Sequence, residues 1–153
     1  MKLLITCLLF FFFACNTRQE PDKTQPVAIN PIIEKNKELI RRVYYEMVNQ
    51  HKYELIDSFF SPNIIDHSAW EGQLPGRTGF KKAVTDLMSM FSAVEIKLDN
   101  MVAEGDTVAT LETWHVTMAA TNKAIRGQTM HFFRIKDGVI TDEWSKGWDW
   151  LKI

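Results

Sequence analysis

The second half of the chain carries the feature that most limits what it can fold into. Four long segments alternate apolar and polar residues and are separated by short turn signals. "AVEIKLDNMVAEGD" (93–106) alternates and ends in a Gly-Asp turn. "TVATLETWHVTMAAT" (107–121) and "IRGQTMHFFRI" (125–135) follow, and "KDG" turns the chain into "VITDEWSKGWDWL" (139–151). Side chains on a strand alternate between faces, so each segment can bury one row while wetting the other. Short Gly- and Asp-containing connections between such segments predict antiparallel hairpins.

Ahead of these strands the period changes. "IEKNKELIRRVYYEMVNQH" (33–51) sets Leu39, Ile40, Val43, Tyr44 and Met47 three and four residues apart, the spacing of an amphipathic helix. "YELIDSFF" (53–60) continues as a short second helix that Ser61-Pro62 stops, and "NIIDHS" predicts a brief strand. A third helix is predicted over 78–91, with Thr78 as its N-cap and Phe80, Val84, Leu87, Met88 and Phe91 on the buried side. Helices first and antiparallel strands afterwards predict an α+β fold, with about three helices covering one face of a curved, mostly antiparallel sheet.

The first residues are of another kind. "MKLLITCLLFFFFAC" has a basic start at Lys2 and an apolar run from Leu3 to Ala14, shorter than the roughly 20 residues that span a bilayer. It predicts a signal peptide over 1–14. Ala14-Cys15 resembles the end of a bacterial lipobox, which implies lipidation at Cys15. Residues 15–32 are then the lipidated cysteine and a polar, proline-rich tether, and 33–153 the folded domain. The expectation is a protein anchored to a membrane of the bacterial cell envelope, facing the periplasm or the exterior. Plain secretion and an uncleaved anchor are the alternatives. Cys7 and Cys15 are the only cysteines, so a processed domain has no thiol for a disulfide, a zinc site or a nucleophile.

Composition excludes some functions. A chain of 153 residues, 46% hydrophobic and 24% charged, suffices for one domain with a core. Its formal charge of −1 and the lack of a basic stripe leave no footprint for nucleic acid. The four histidines have no metal-ligand spacing, the glycines make no phosphate loop and no serine sits in a nucleophile elbow, so neither a metal nor a cofactor is expected.

The element order resembles the NTF2-like superfold, and the local motifs resemble its SnoaL-like polyketide cyclase and ester cyclase branch. The residues that carry this are His67, Pro75-Gly76, Gly79-Phe80-Lys81, "GDTVA" (105–109), "HFFRIKDGVI" (131–140) and Glu143-Trp144. The resemblance implies a cone-shaped sheet closed by helices around an apolar pocket. It also implies a homodimer, as is common in the superfold, and cofactor-free acid/base chemistry by an aspartate on the last strand. That aspartate usually stands four residues after the tryptophan, whereas Asp149 stands five after Trp144.

The extra residue matters because facing alternates. In a straight strand Asp149 lies opposite Trp144, and Trp148 takes the family aspartate's place. A β-bulge at Gly147 restores Asp149 to the face of Trp144, and glycine tolerates the positive φ that a bulge favours. His67, near the pocket mouth by resemblance, can orient a carbonyl or be a loop histidine bonded to nearby backbone. His131 shares a face with Phe133 and Ile135, as a core histidine or as a catalytic one. Trp114 is the expected pocket wall of the pair Trp114-His115. Glu112, on the same face, is a second inward carboxylate or an exposed sheet position. The candidate catalytic residues are therefore Asp149, His131 and His67, and the candidate ligand-binding residues Trp114, Trp144, Trp148 and Phe133. Three uses fit them: acid/base chemistry on a small hydrophobic carbonyl compound, binding without chemistry, or a dimerisation module.

Overall fold

A computed structural model describes residues 30–151, with side chains described from residue 30 to residue 147. The segments read as signal peptide and as most of the tether, Cys15 included, lie outside these residues. So do the side chains of Trp148 and Asp149. No helix among the described residues is long and apolar enough to cross a membrane.

Helix α1 (Pro31–Arg42) begins two residues before the predicted start. The Asn30 side chain accepts a hydrogen bond from the Ile32 N–H at 3.0 Å, and Pro31, which has no N–H to lose, occupies the first turn. The helix does not end at Arg42; it widens into a π-helical stretch, Val43–Val48, closed by Asn49 N–H donating to the Tyr44 carbonyl at 2.9 Å. Such a widening changes which side chains share a face, and here Val43, Tyr44, Met47 and Val48 are all buried. Asn49 then uses its side-chain amide as a strand would, pairing with both Ile96 N–H and Ile96 C=O at 2.8 Å. This pins the helix to the sheet edge.

A 3-10 turn (Tyr53–Leu55) leads into the short helix α2 (Ile56–Phe59), and strand β1 (Phe60–Asp66) follows directly. Helix α3 spans Gly76–Ser89. Thr78 therefore lies inside its first turn and does not cap it, because the chain enters from Pro75 in extended conformation (φ −71°, ψ 162°). Strands β2 (Phe91–Glu104), β3 (Thr107–Met118), β4 (Ala124–Lys136) and β5 (Val139–Leu151) match the four alternating segments.

The sheet order is β1-β5-β4-β3-β2, with β1 parallel to β5 and every other pair antiparallel. The three helices pack on one face of this mixed, open sheet. Ile40, Ile56, Phe60, Ile96, Val108 and Ile140 are among the residues at the centre of the core. Each such burial contributes about 1.5–3 kcal/mol. The inner row on β3 is Val108, Thr110, Glu112, Trp114 and Val116; on β4 it includes Thr129, Phe133 and Ile135. Three of these residues are polar enough to demand an explanation: Glu112, with no exposed surface, and Thr110 and Thr129 beside it.

Candidate functional site

Glu112 sits at the centre of a fully paired polar cluster. Tyr44, brought over the sheet by the π-helical stretch, donates its hydroxyl to Glu112 Oε1 at 2.6 Å. Thr129, directly opposite on β4, donates to Glu112 Oε2 at 2.8 Å and itself accepts from Trp114 Nε1–H at 2.8 Å. His131 Nδ1 lies 3.0 Å from the same Oε2. Burial pushes the Glu112 carboxyl up, but hydrogen bonding and attraction from His131, with hydrogen bonds from Thr110 and Tyr44, outweigh it and hold the group below its ordinary value. Glu112 is thus an ionised carboxylate, which only accepts. His131 Nδ1 must then carry the hydrogen, and Nε2 is left as the working nitrogen.

That nitrogen is 3.6 Å from Glu143 Oε1 on β5, too long for a hydrogen bond. Glu143 behaves oppositely to Glu112. Burial, the negative charge of Asp66 and a hydrogen bond with Asp66, and then the charge of Glu112, push its carboxyl up to about 9. It is a neutral acid at pH 7. Asp66, at the end of β1, accepts from Ser68 N–H at 2.9 Å and from Gln73 Nε2 at 2.8 Å, so donors surround the charge that keeps Glu143 protonated.

These groups form the polar end of a cavity of about 120 Å³ under the helices. His131, Glu143, Asp66 and Ser145 line that end, while Trp114, Phe133, Phe60, Phe80, Val84 and Met88 line the apolar remainder. No lysine or arginine lines it. Among the described residues no group of His, Cys, Asp and Glu has the geometry to hold a metal ion.

The structure therefore brings together three of the seven residues singled out from the sequence. His131, Trp114 and Phe133 all line the cavity. Glu112, left open between inward carboxylate and exposed position, is inward. Trp144 and His67 lie elsewhere. The β4–β5 register pairs Phe133 with Glu143 and Phe132 with Trp144, so the inward row of β5 carries Glu143 and Ser145, and Trp144 belongs to the outer face. His67 stacks on Trp144 there, with ring centroids 4.0 Å apart and planes 3° from parallel, and its Nε2 meets Asp142 Oδ1 at 3.0 Å. Gly147 has φ +84°, and the register shifts beside it: Gln128 pairs with Asp149 but Met130 with Lys146, so β5 spends one residue more than β4. The Asp149 and Trp148 side chains, outside the described residues, are assigned no position.

Tyr44, Asp66, Glu143 and Ser145 escaped the sequence reading as site residues. Tyr44 stood only as one more residue of the helix stripe. Glu143 stood only as the neighbour of a tryptophan.

An open mixed sheet with helices on one face and a cavity between them defines an NTF2-like α+β protein. Residues 41–143 match the SnoaL-like domain model, and the chain belongs to that family. Solved structures agree on the fold. A candidate polyketide cyclase from Bacillus cereus ATCC 10987 superposes with a TM-score of 0.65 at 23% identity, over 73% of this chain and 73% of that one. A candidate SnoaL-like polyketide cyclase from Jannaschia sp. CCS1 gives 0.70 at 17% identity, over 79% and 90%. An LEH-like epoxide hydrolase from M. tuberculosis gives 0.62 at 13% identity, over 75% and 84%. None of the curated proteins matches this chain in sequence.

Proposed function

We propose that this chain is a SnoaL-like protein, tethered to the cell envelope through Cys15, whose cavity takes a small hydrophobic carbonyl compound and moves protons on it without a cofactor. The Glu112–His131 pair carries the reading. With Nδ1 engaged by a wholly buried carboxylate, the neutral form of His131 carries its lone pair on Nε2, at the polar end of an apolar hollow. In the proposed step His131 Nε2 takes a proton from the carbon beside the carbonyl. The C–H electron pair becomes a C=C bond and the carbonyl π pair moves to oxygen. Glu143, neutral and lining the same cavity, is the donor for the charge that develops there. Return of a proton to carbon completes an isomerisation, and attack of the enolate on a second carbonyl of the same ligand closes a ring.

The hollow, about 120 Å³, is smaller than the apolar cavity of about 150 Å³ that accepts benzene, so it suits a short aliphatic ketone. 2-Butanone is a fitting probe. In D₂O, proton NMR of its acetyl methyl group should show exchange accelerated by the protein, and His131→Gln should slow that exchange by about 10²–10⁴-fold. Binding of 2-butanone with no acceleration would remove catalysis and leave a small-molecule carrier. Failure to bind would remove both.

A further inference from the structure

The cavity is not the only hollow under the loop between β1 and α3. A groove of about 370 Å³ lies on the other side of that loop, lined among others by Trp70, Gln73, Leu74 and Lys82. Trp70, Gln73 and Ala83 line both spaces. They are one wall with two sides, made of a half-exposed tryptophan, an amide and a methyl group.

The wall is held at both ends and, through Gln73, between them. Ser68 exchanges hydrogen bonds with the Ser145 backbone at 3.1 and 2.8 Å, fixing one end to β5. At the other end Leu74 lies so close to α3 that a Cβ on Gly79 would stand 1.7 Å from the Leu74 carbonyl oxygen, so only glycine allows the approach. Between these anchors Gln73 holds Asp66 through its side chain and Trp70 C=O through its N–H. Trp70 thus borders two hollows on a loop that is tied down on both flanks.

Resting on the carbonyl-ligand reading above, we infer that the ligand is bipartite: a carbonyl head in the inner cavity and an unbranched hydrocarbon tail that crosses the wall over Ala83 into the outer groove. A hollow of about 120 Å³ holds only a head group, while the outer groove adds space of the size that elongated ligands occupy. Trp70 and the exposed Leu74 give that tail apolar surface. The paired Lys82 and Asp86 at the groove's far side give its end a polar rim. Trp70 is then a specificity residue that touches both parts of one ligand.

Methyl ketones of increasing length test this, with affinity read from tryptophan fluorescence or ligand NMR on the full chain. Each added methylene that leaves water raises affinity by about fourfold. The rise should continue from 2-pentanone through 2-undecanone, past the length that fills the inner cavity. Leu74→Asp, at an exposed site, should flatten the rise for the long ketones while 2-pentanone keeps its affinity. A plateau reached by 2-heptanone, or equal behaviour of Leu74→Asp and the unaltered chain across the series, would overturn the tail. Loss of 2-pentanone binding itself would instead sink the carbonyl reading on which the tail rests.

Discussion

Two histidine–carboxylate pairs stand back to back on the same sheet, one on each face, and both span 3.0 Å. Inside, His131 meets Glu112; outside, His67 meets Asp142. Their surroundings differ in every other respect. The Glu112 side chain has no exposed surface, hydrogen-bonds to Tyr44, Thr129 and His131, and no arginine or lysine lines the cavity. Asp142 has Arg134 at 3.7 Å, a hydrogen bond from Thr141, and a histidine partner whose side chain is one-third exposed. His67 is also committed, flat against Trp144, while Arg134 sits over the same indole at 5.4 Å. The outer pair is a surface clamp that fastens the segment after β1 to β5. The inner pair holds a nitrogen free for use. Identical contact distances therefore say little about chemistry; burial and the supply of competing partners decide it.

Removing the inner carboxylate should have the largest effect. Glu112→Leu strands the Tyr44 hydroxyl, Thr129 and His131 without their common acceptor and should cost about 3–5 kcal/mol, measurable by urea unfolding. A loss under 1 kcal/mol would mean that the inner cluster is no more demanding than the outer one. Glu143→Gln comes next and acts through pH. The wild-type carboxyl binds its proton in the folded state up to about pH 9 but releases it near its ordinary value of 4.5 when unfolded. Between those values the folded state holds the extra proton, so stability drains away as pH rises through the window. The variant should match wild type at pH 5 and exceed it by several kcal/mol at pH 9; parallel curves would show that Glu143 is not held neutral. The smallest change is expected outside. His67→Gln should cost about 0–1 kcal/mol and leave 2-butanone exchange within twofold of wild type. A large drop in that exchange would erase the distinction between the two faces.

Much of the fold was legible because it rests on local periodicity. The four alternating segments are the four long strands, and the spacing of Ile40, Val43, Tyr44 and Met47 is the buried side of the first helix. His131 was placed with Phe133 from spacing alone, and both line the cavity. The last strand shows where the reading stopped. "DEWSKGW" offers a tryptophan beside a glutamate, and a local preference turns the indole inward. The strand does the reverse, because β4 presents Phe133 opposite Glu143 and Phe132 opposite Trp144. The cost of burying Glu143 is met by protonation and by Asp66, 77 residues earlier in the chain. The indole finds its cover under His67 instead.

What the sequence determined by itself was the list of elements, their order, and which residues within each element share a side, since these depend on φ/ψ periodicity and on turns only a few residues long. Which side of each strand faces the helices was decided by tertiary structure. So was the meeting of Tyr44, Asp66, Glu112, His131 and Glu143, drawn from one helix and four strands. Alternation is relative: it orders a strand's residues into two rows and is silent about which row is covered. Pairing with neighbouring strands and the arrival of α1 over one face settle that, and with it the protonation of Glu143.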